Sequence, residues 1–397
     1  MLTTIYPSPD FVMLNNTDVC HFFSKEWVKM GYKVKVIYNY PRYWSLFHFV
    51  ASFLGKRLAS ITGVFIAAKK INNDKQYLLD DVVVERFPLY KPLPRGRFPK
   101  KSILKQIQKI KNSNQSDGFL PDVIVGHFHN PSLEMVYELK KVYPQAKTAL
   151  VLHGNGDNIK TIYKNRYKKL MNSVDFFGHR SLALKRNFET SYGVQQHTSF
   201  MCYSGIPEGS FQNAKPHANV VTKNFIFVGS LIKRKHPASI LPVLYTAFPN
   251  KDFSMTYVGS GQEEKKMRKI KTKLGLEENV RFKGRLPREH VFEELKSAEC
   301  FIMLSENETF GLVYIEAMAN GCITIASKDE GMDGIITHGV NGFLCKAGNE
   351  KELAELIIHI NTLSLEEKLG ISQRAIETAQ EMTDFQVAKN YIESILN

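Results

Sequence analysis

From about residue 120 onward, short runs of β-branched and aromatic residues alternate with stretches whose apolar positions recur every three or four residues. Val123–Val125 (VIV), Thr148–Leu152 (TALVL) and Asp175–Gly178 read as strands in the first half. Phe225–Val228, Phe253–Val258, Val280–Phe282, Cys300–Leu304 and Ile323–Ala326 read as strands in the second. Pro131–Val142, Ser181–Ser191, Glu263–Leu274, Arg288–Ser297, Glu350–Thr362 and Phe385–Leu396 carry the helical period. Strands alternating with helices predict parallel sheets covered on both faces. Near the start, Leu2–Tyr6 reads as a strand ended by Pro7 and Pro9, so no signal peptide is expected.

The pattern restarts after Gly205–Ala218 (GIPEGSFQNAKPHA), where Pro, Gly, Ser and Asn cluster. The expected architecture is therefore α/β, with two Rossmann-like domains whose parallel sheets face a central cleft. Their expected bounds are residues 1–205 and 206–383. A helix over 384–397 comes next, and its docking place is left open, the first domain being one candidate.

Charge divides unevenly between these parts. Residues 1–205 hold 30 Lys and Arg against 14 Asp and Glu, whereas residues 206–397 hold 23 against 25. The whole basic excess therefore lies in the first part and calls for an anionic partner there: nucleic acid, anionic lipid or a phosphorylated substrate. Tyr43–Ala68 is the longest apolar stretch, but Lys56 and Arg57 split it into pieces too short to cross a bilayer. Its aromatics beside two cations suit an interfacial element as well as a buried helix, so an anionic membrane surface met through residues 43–70 is one expected partner. Cys20, Cys202, Cys300, Cys322 and Cys345 lie far apart without a Cys-x-x-Cys pair, which fits a reduced, cytoplasmic setting rather than a zinc or disulfide framework.

The densest chemistry is Leu304–Ala326 (LSENETFGLVYIEAMANGCITIA), which reads as strand end, loop, helix and strand. Ligands of open α/β sheets bind beyond such strand ends. Thr309 fits an N-cap, and the amides of Phe310, Gly311 and Leu312 would then form an anion site at the helix start. Gly321 fits the helix end. Glu308 stands at the mouth of that site, and Glu316 sits two turns on in an apolar helix. Two readings fit Glu316: a carboxylate that accepts from a vicinal diol such as a ribose, or one on the solvent face.

Glu308 and Glu316, with seven residues between them in E-T-F-G-L-V-Y-I-E-A-M-A-N-G, resemble the signature of the retaining glycosyltransferases of family 4, which have the GT-B fold. Other segments resemble that family in the same order. They are Pro121–His129 (PDVIVGHFH), Leu152–Asp157 (LHGNGD), Tyr203–Phe211, Phe227–Lys235 (FVGSLIKRK), Tyr257–Gln262, Val280–Leu286 and Gly331–Leu344. The resemblance implies Glu308 and His153 as catalytic residues, with His127 and His129 as weaker candidates. It implies a donor site built from Gly229, Ser230, Arg234, Lys235, Gly284, Thr309, Phe310, Gly311, Leu312 and Glu316. Ser230 stands where the family has Arg, which leaves one fewer cation on the phosphates, with Lys233 and Arg234 as candidates to compensate. Pro7–Asn16 lacks the family's Gly-Gly pair, and this loop normally meets the acceptor.

The same resemblance implies transfer of a sugar from a nucleotide-diphosphate sugar, with retention, to a glycan or polyprenyl-linked saccharide. The expected setting is bacterial surface-polysaccharide synthesis, in the cytoplasm or peripheral on the inner face of the cytoplasmic membrane. No Asp-x-Asp occurs, so no metal and no cofactor are expected. A GT-B epimerase or phosphorylase is the alternative. A nucleic-acid-binding protein is a remoter one, because no recognition motif accompanies the basic charge and no nucleic-acid partner is expected.

Overall fold

The computed structural model describes residues 1–8, 18–62, 67, 69–94, 96–154, 158–193, 198–211 and 215–397, apart from the side chains of 52 and 55–62. Most of the Pro7–Asn16 loop, Asn155–Asp157 of the LHGNGD segment, and the Lys56 and Arg57 side chains lie outside the described residues. The chain forms two compact units. One comprises Met1–Arg180, Lys185–Cys202 and Val387–Asn397; the other comprises Ser181–Leu184 and Tyr203–Gln386.

The first unit is built on an eight-stranded sheet. In chain order its strands are β1 (Leu2–Thr4), β2 (Lys35–Arg42), β3 (Lys75–Leu79), β4 (Val82–Tyr90), β5 (Val123–His127), β6 (Lys147–Leu152), β7 (Phe176–His179) and β8 (Thr198–Met201). They lie in the order β3-β4-β2-β1-β5-β6-β7-β8, parallel except for the β3–β4 hairpin at the edge. Central strands such as β5 and β6 are buried on both faces, which explains their continuous apolar runs. Helices Lys100–Ser116 and His129–Val142 cover the sheet, with Ile103, Ile107, Leu133, Val136 and Leu139 packed against Ile37, Ile124 and Leu150.

Strand β2 is fully buried for seven residues yet contains Lys35 and Asn39. Lys35 Nζ donates to Glu85 Oε1 at 3.0 Å and to Asp117 Oδ2 at 2.7 Å, and this pairing makes a buried ammonium tolerable. The helix Ser45–Thr62 leaves Leu46, Phe49 and Phe53 at 70, 64 and 74% exposure, with Trp44 just before it at 56%. No helix among the described residues is long and apolar enough to cross a membrane.

The second unit holds a six-stranded, all-parallel sheet in the order β11-β10-β9-β12-β13-β14. Its strands are β9 (Asn224–Val228), β10 (Ser254–Val258), β11 (Val280–Gly284), β12 (Cys300–Ile302), β13 (Ile323–Ser327) and β14 (Phe343–Cys345). Two parallel-stranded α/β units with helices over the sheets are what the strand–helix alternation predicts. The sheet order reverses direction beside β9, which pairs with both β10 and β12. The loops after β9 and β12 therefore emerge side by side at the carboxyl edge, where ligands of such sheets bind.

Candidate functional site

Two glycines let the turns after β9 and β10 approach each other. Gly259 holds φ +132°, and a Cβ there would meet the Gly229 carbonyl oxygen at 1.9 Å. From Gly229 the chain passes Ser230 and makes one 3₁₀ turn over Lys233–Lys235, ended by His236 in the left-handed region. That turn aims two cations at the loop after β12. Arg234 Nη1 donates to Ser305 Oγ (3.0 Å), to the Glu306 carbonyl (3.2 Å) and to Glu308 Oε2 (3.4 Å). Lys235 Nζ lies 3.7 Å from the same Glu308 oxygen and 3.4 Å from Met303 Sδ. Burial depresses the Lys235 pKa, Glu308 opposes this, and Arg234 adds to it.

Glu308 thus has one carboxylate oxygen gathered in by Ser305 Oγ at 2.9 Å, Arg234 and Lys235. Its other oxygen, Oε1, has no partner among the described residues. The loop behind it is held by Glu330, whose two oxygens accept the Asn307 and Glu308 amides at 2.9 and 2.8 Å. Burial raises the Glu330 pKa against the pull of those two amides, and the Glu308 and Glu306 charges add to the rise. Glu330 therefore fixes the height at which Glu308 stands.

The helix after this loop runs Leu312–Ala319, and its N-cap is Gly311, at φ +87°. This corrects the expected Thr309 cap. The reason is Tyr314, whose buried hydroxyl donates to the Met303 carbonyl at 2.8 Å and whose ring would meet a Cβ on residue 311 at 2.4 Å. Only glycine in the left-handed region fits beneath that ring, so the helix starts later than Thr309 would allow. Leu312 and Val313 then carry the first amides without an intrahelical acceptor. Thr309 and Phe310 remain in the loop, with Phe310 against Tyr203 at a ring separation of 5.7 Å.

Glu316 is buried, which removes the solvent-face reading of it. Its Oε1 accepts from Arg288 Nε at 3.0 Å and lies 2.7 Å from Arg288 Nη2, while Oε2 has no partner among the described residues. Burial raises the Glu316 pKa and Arg288 opposes the rise. Gly284 ends β11 at φ +64°, and its carbonyl accepts the Gly259 amide. Ser230 is exposed and supplies no charge. Arg234, rather than Lys233, is the additional cation that the structure brings to Glu308. Arg288 and Glu330 carry no sequence signal of their own.

In the first unit, His153 follows β6 and is half-buried, its ring stacked on Phe128 at 3.9 Å. His153 Nε2 lies 2.9 Å from His127 Nδ1, and His127 Nε2 lies 2.9 Å from the Tyr391 hydroxyl. Burial, with the Arg180 charge, lowers the His127 pKa to about 3. Burial, His127 and Arg180 hold His153 well below the ordinary histidine value. His129 stands apart from this chain, its pKa lowered to about 4 by burial and Lys91. Among the described residues no three His, Cys, Asp or Glu side chains are grouped as metal ligands.

Residues 210–382 match the family model for glycosyl transferases group 1. The chain is 30% identical over 138 residues to the N-acetyl-alpha-D-glucosaminyl L-malate synthase of Bacillus anthracis, covering 35% of this chain and 36% of that protein. It is 27% identical over 265 residues to an uncharacterized glycosyltransferase of Methanocaldococcus jannaschii, covering 66% of this chain and 71% of that protein. Most such relatives are matched over about a third to a half of their own length. The fold is similar to that of the Anabaena protein HepE in complex with UDP, with a TM-score of 0.66, 17% identity, and 100% of this chain and 98% of that one covered. The architecture is GT-B, and these likenesses support a GT-B glycosyltransferase.

Proposed function

We propose that the chain is a retaining glycosyltransferase of family 4, drawing a sugar from a nucleoside-diphosphate donor. The observation that carries this is Glu308: one oxygen is held by Ser305, Arg234 and Lys235, and the other is left to meet a ligand. Lys235, Arg234 and the amides opening the Leu312–Ala319 helix hold the diphosphate and take up its charge as it leaves. Glu308 Oε1 accepts from a sugar hydroxyl, and Glu316 Oε2 accepts from the ribose. His153, in the first unit, serves as a substrate-facing neutral imidazole. The C1–O bond to phosphate breaks, the acceptor oxygen bonds C1 on the same face, and its proton passes to the leaving phosphate oxygen. No metal or cofactor enters this scheme.

The acceptor is a glycan or polyprenyl-linked saccharide of bacterial surface-polysaccharide synthesis, met at the inner face of the cytoplasmic membrane. Exposed Trp44, Leu46, Phe49 and Phe53 on the basic first unit support that setting. Turnover of a panel of nucleotide sugars, with and without a polyprenyl-phosphosaccharide and with EDTA added, tests the reading. Transfer that survives EDTA and keeps the donor's anomeric configuration agrees with it. Inversion of configuration, or isomerisation of the donor without transfer, contradicts it.

A further inference from the structure

Tyr391, His127 and His153 form a hydrogen-bonded chain with 2.9 Å at each link. Each histidine is kept neutral by burial, so each ring carries one N–H and the order of donors can be worked out link by link. The Tyr391 phenol is fully buried, and His127 Nε2 is its one hydrogen-bond partner among the described residues. A buried O–H needs an acceptor. The phenol therefore donates, and His127 Nε2 is the unprotonated nitrogen. His127 Nδ1 then carries the proton and donates to His153 Nε2, which leaves the His153 proton on Nδ1. The reverse order would point His127 Nε2–H at the phenol oxygen and strand the O–H. Around it, Phe23, Trp27 and Phe200 each lie with ring centroids 5.1 Å from Tyr391, so the phenol cannot swing to another partner without breaking these contacts.

We infer that Tyr391 is a positioning residue that fixes the tautomer of both histidines, so that His153 presents Nδ1–H as a donor to an oxygen of the substrate. This rests on the reading of His153 as a substrate-facing residue, but the proton order does not. Nδ1 has no partner among the described residues, and stacking on Phe128 holds the ring plane in which that N–H points. The site would favour a sugar or acceptor oxygen that can accept a hydrogen bond, such as a hydroxyl or carboxylate, and would not act as a base at that position.

Long-range proton–nitrogen correlation spectra of the full chain labelled with ¹⁵N-histidine read the tautomers directly, with His127→Gln and His153→Gln used for assignment. Nδ1–H should dominate Nε2–H by at least about tenfold in both rings of the wild type. Tyr391→Phe, which keeps the ring and removes the hydroxyl, should let the His127 tautomer shift or average. A wild-type His153 protonated on Nε2 overturns the inference, as do unchanged tautomers in Tyr391→Phe. The wild-type spectrum needs no variant to fold and no substrate to bind. If the tautomers are as stated but His153→Gln transfers sugar at the wild-type rate, the proton order stands and the sugar-facing role of His153 falls.

Discussion

Arg288 reaches Glu316 from a separate helix, with Nη2 2.7 Å and Nε 3.0 Å from one and the same carboxylate oxygen. The pair leaves the other oxygen available and makes a buried carboxylate bearable in an apolar helix. It also ties the proposed ribose-binding group to the segment that follows β11.

Arg288→Ala should expose this dependence through pH. Burial raises the Glu316 pKa and Arg288 restrains it, so removing the guanidinium raises it further. Below the ordinary Glu range the carboxyl is neutral in both proteins and the pair contributes little. As pH rises through that range and above, the unpaired buried charge costs the variant about 1–3 kcal/mol. Unfolding midpoints from pH 4 to 8 should therefore diverge with rising pH. Midpoints that stay parallel would show that the pair carries no stability.

Glu308→Ala should lower sugar transfer by at least about a hundredfold, because the loss falls on the reacting sugar. Nucleoside diphosphate affinity should not weaken, since the carboxylate that offsets Arg234 and Lys235 is gone. Calorimetric titration beside rate measurement checks both halves. Glu316→Ala, by contrast, should weaken nucleotide binding by about 1–3 kcal/mol.

Acid should destabilise the chain well before its carboxylates are titrated. Burial lowers the pKa of His127 to about 3 and of His129 and His179 to about 4. Unfolding returns each to about 6.5, so the unfolded state binds protons that the native state does not. Their contribution is fully present above pH 6.5 and is lost as pH falls from there toward 4. Denaturant midpoints at pH 7, 6, 5 and 4.5 should drop steadily. His127→Gln should shallow that drop.

Membrane attachment has its own test. Phe47 packs on Tyr43 at a ring separation of 4.6 Å, so it belongs to the interior side of its helix, while Leu46, Phe49 and Phe53 are exposed. Serine at 46, 49 and 53 should abolish the salt-resistant part of binding to phosphatidylglycerol vesicles while leaving the unfolding midpoint unchanged. The salt-sensitive part, drawn by the basic charge, should remain. Wild type that ignores such vesicles at low salt removes the membrane reading.

Much of this arrangement is legible in the sequence, and the rest is hidden for physical reasons. Strands β5, β6, β9 and β12 are short runs dominated by apolar residues, the pattern a buried parallel strand imposes. Strand β2 escapes that pattern because Lys35 and Asn39 sit inside it, paired with residues distant in the chain. Glu308, Glu316 and Lys235 lie in compact segments and are marked out by the family resemblance those segments carry, not by spacing alone. Arg288, Glu330 and Tyr391 depend on tertiary packing: each meets its partner across a separation of 22 or more residues, with no local spacing to mark it. The cap moves from Thr309 to Gly311 for a similar reason, since the deciding contact is the Tyr314 ring rather than local cap preference.

The central claim is that Lys235, with Arg234, holds the diphosphate of a nucleotide sugar. Calorimetric titration of wild type and Lys235→Ala with UDP, GDP, ADP, dTDP and their parent nucleosides tests it directly. One diphosphate should bind the wild type, and Lys235→Ala should weaken that diphosphate by at least about tenfold while changing its nucleoside by less than about twofold. Equal weakening of both, or no binding of any nucleoside diphosphate to the intact chain, would contradict it.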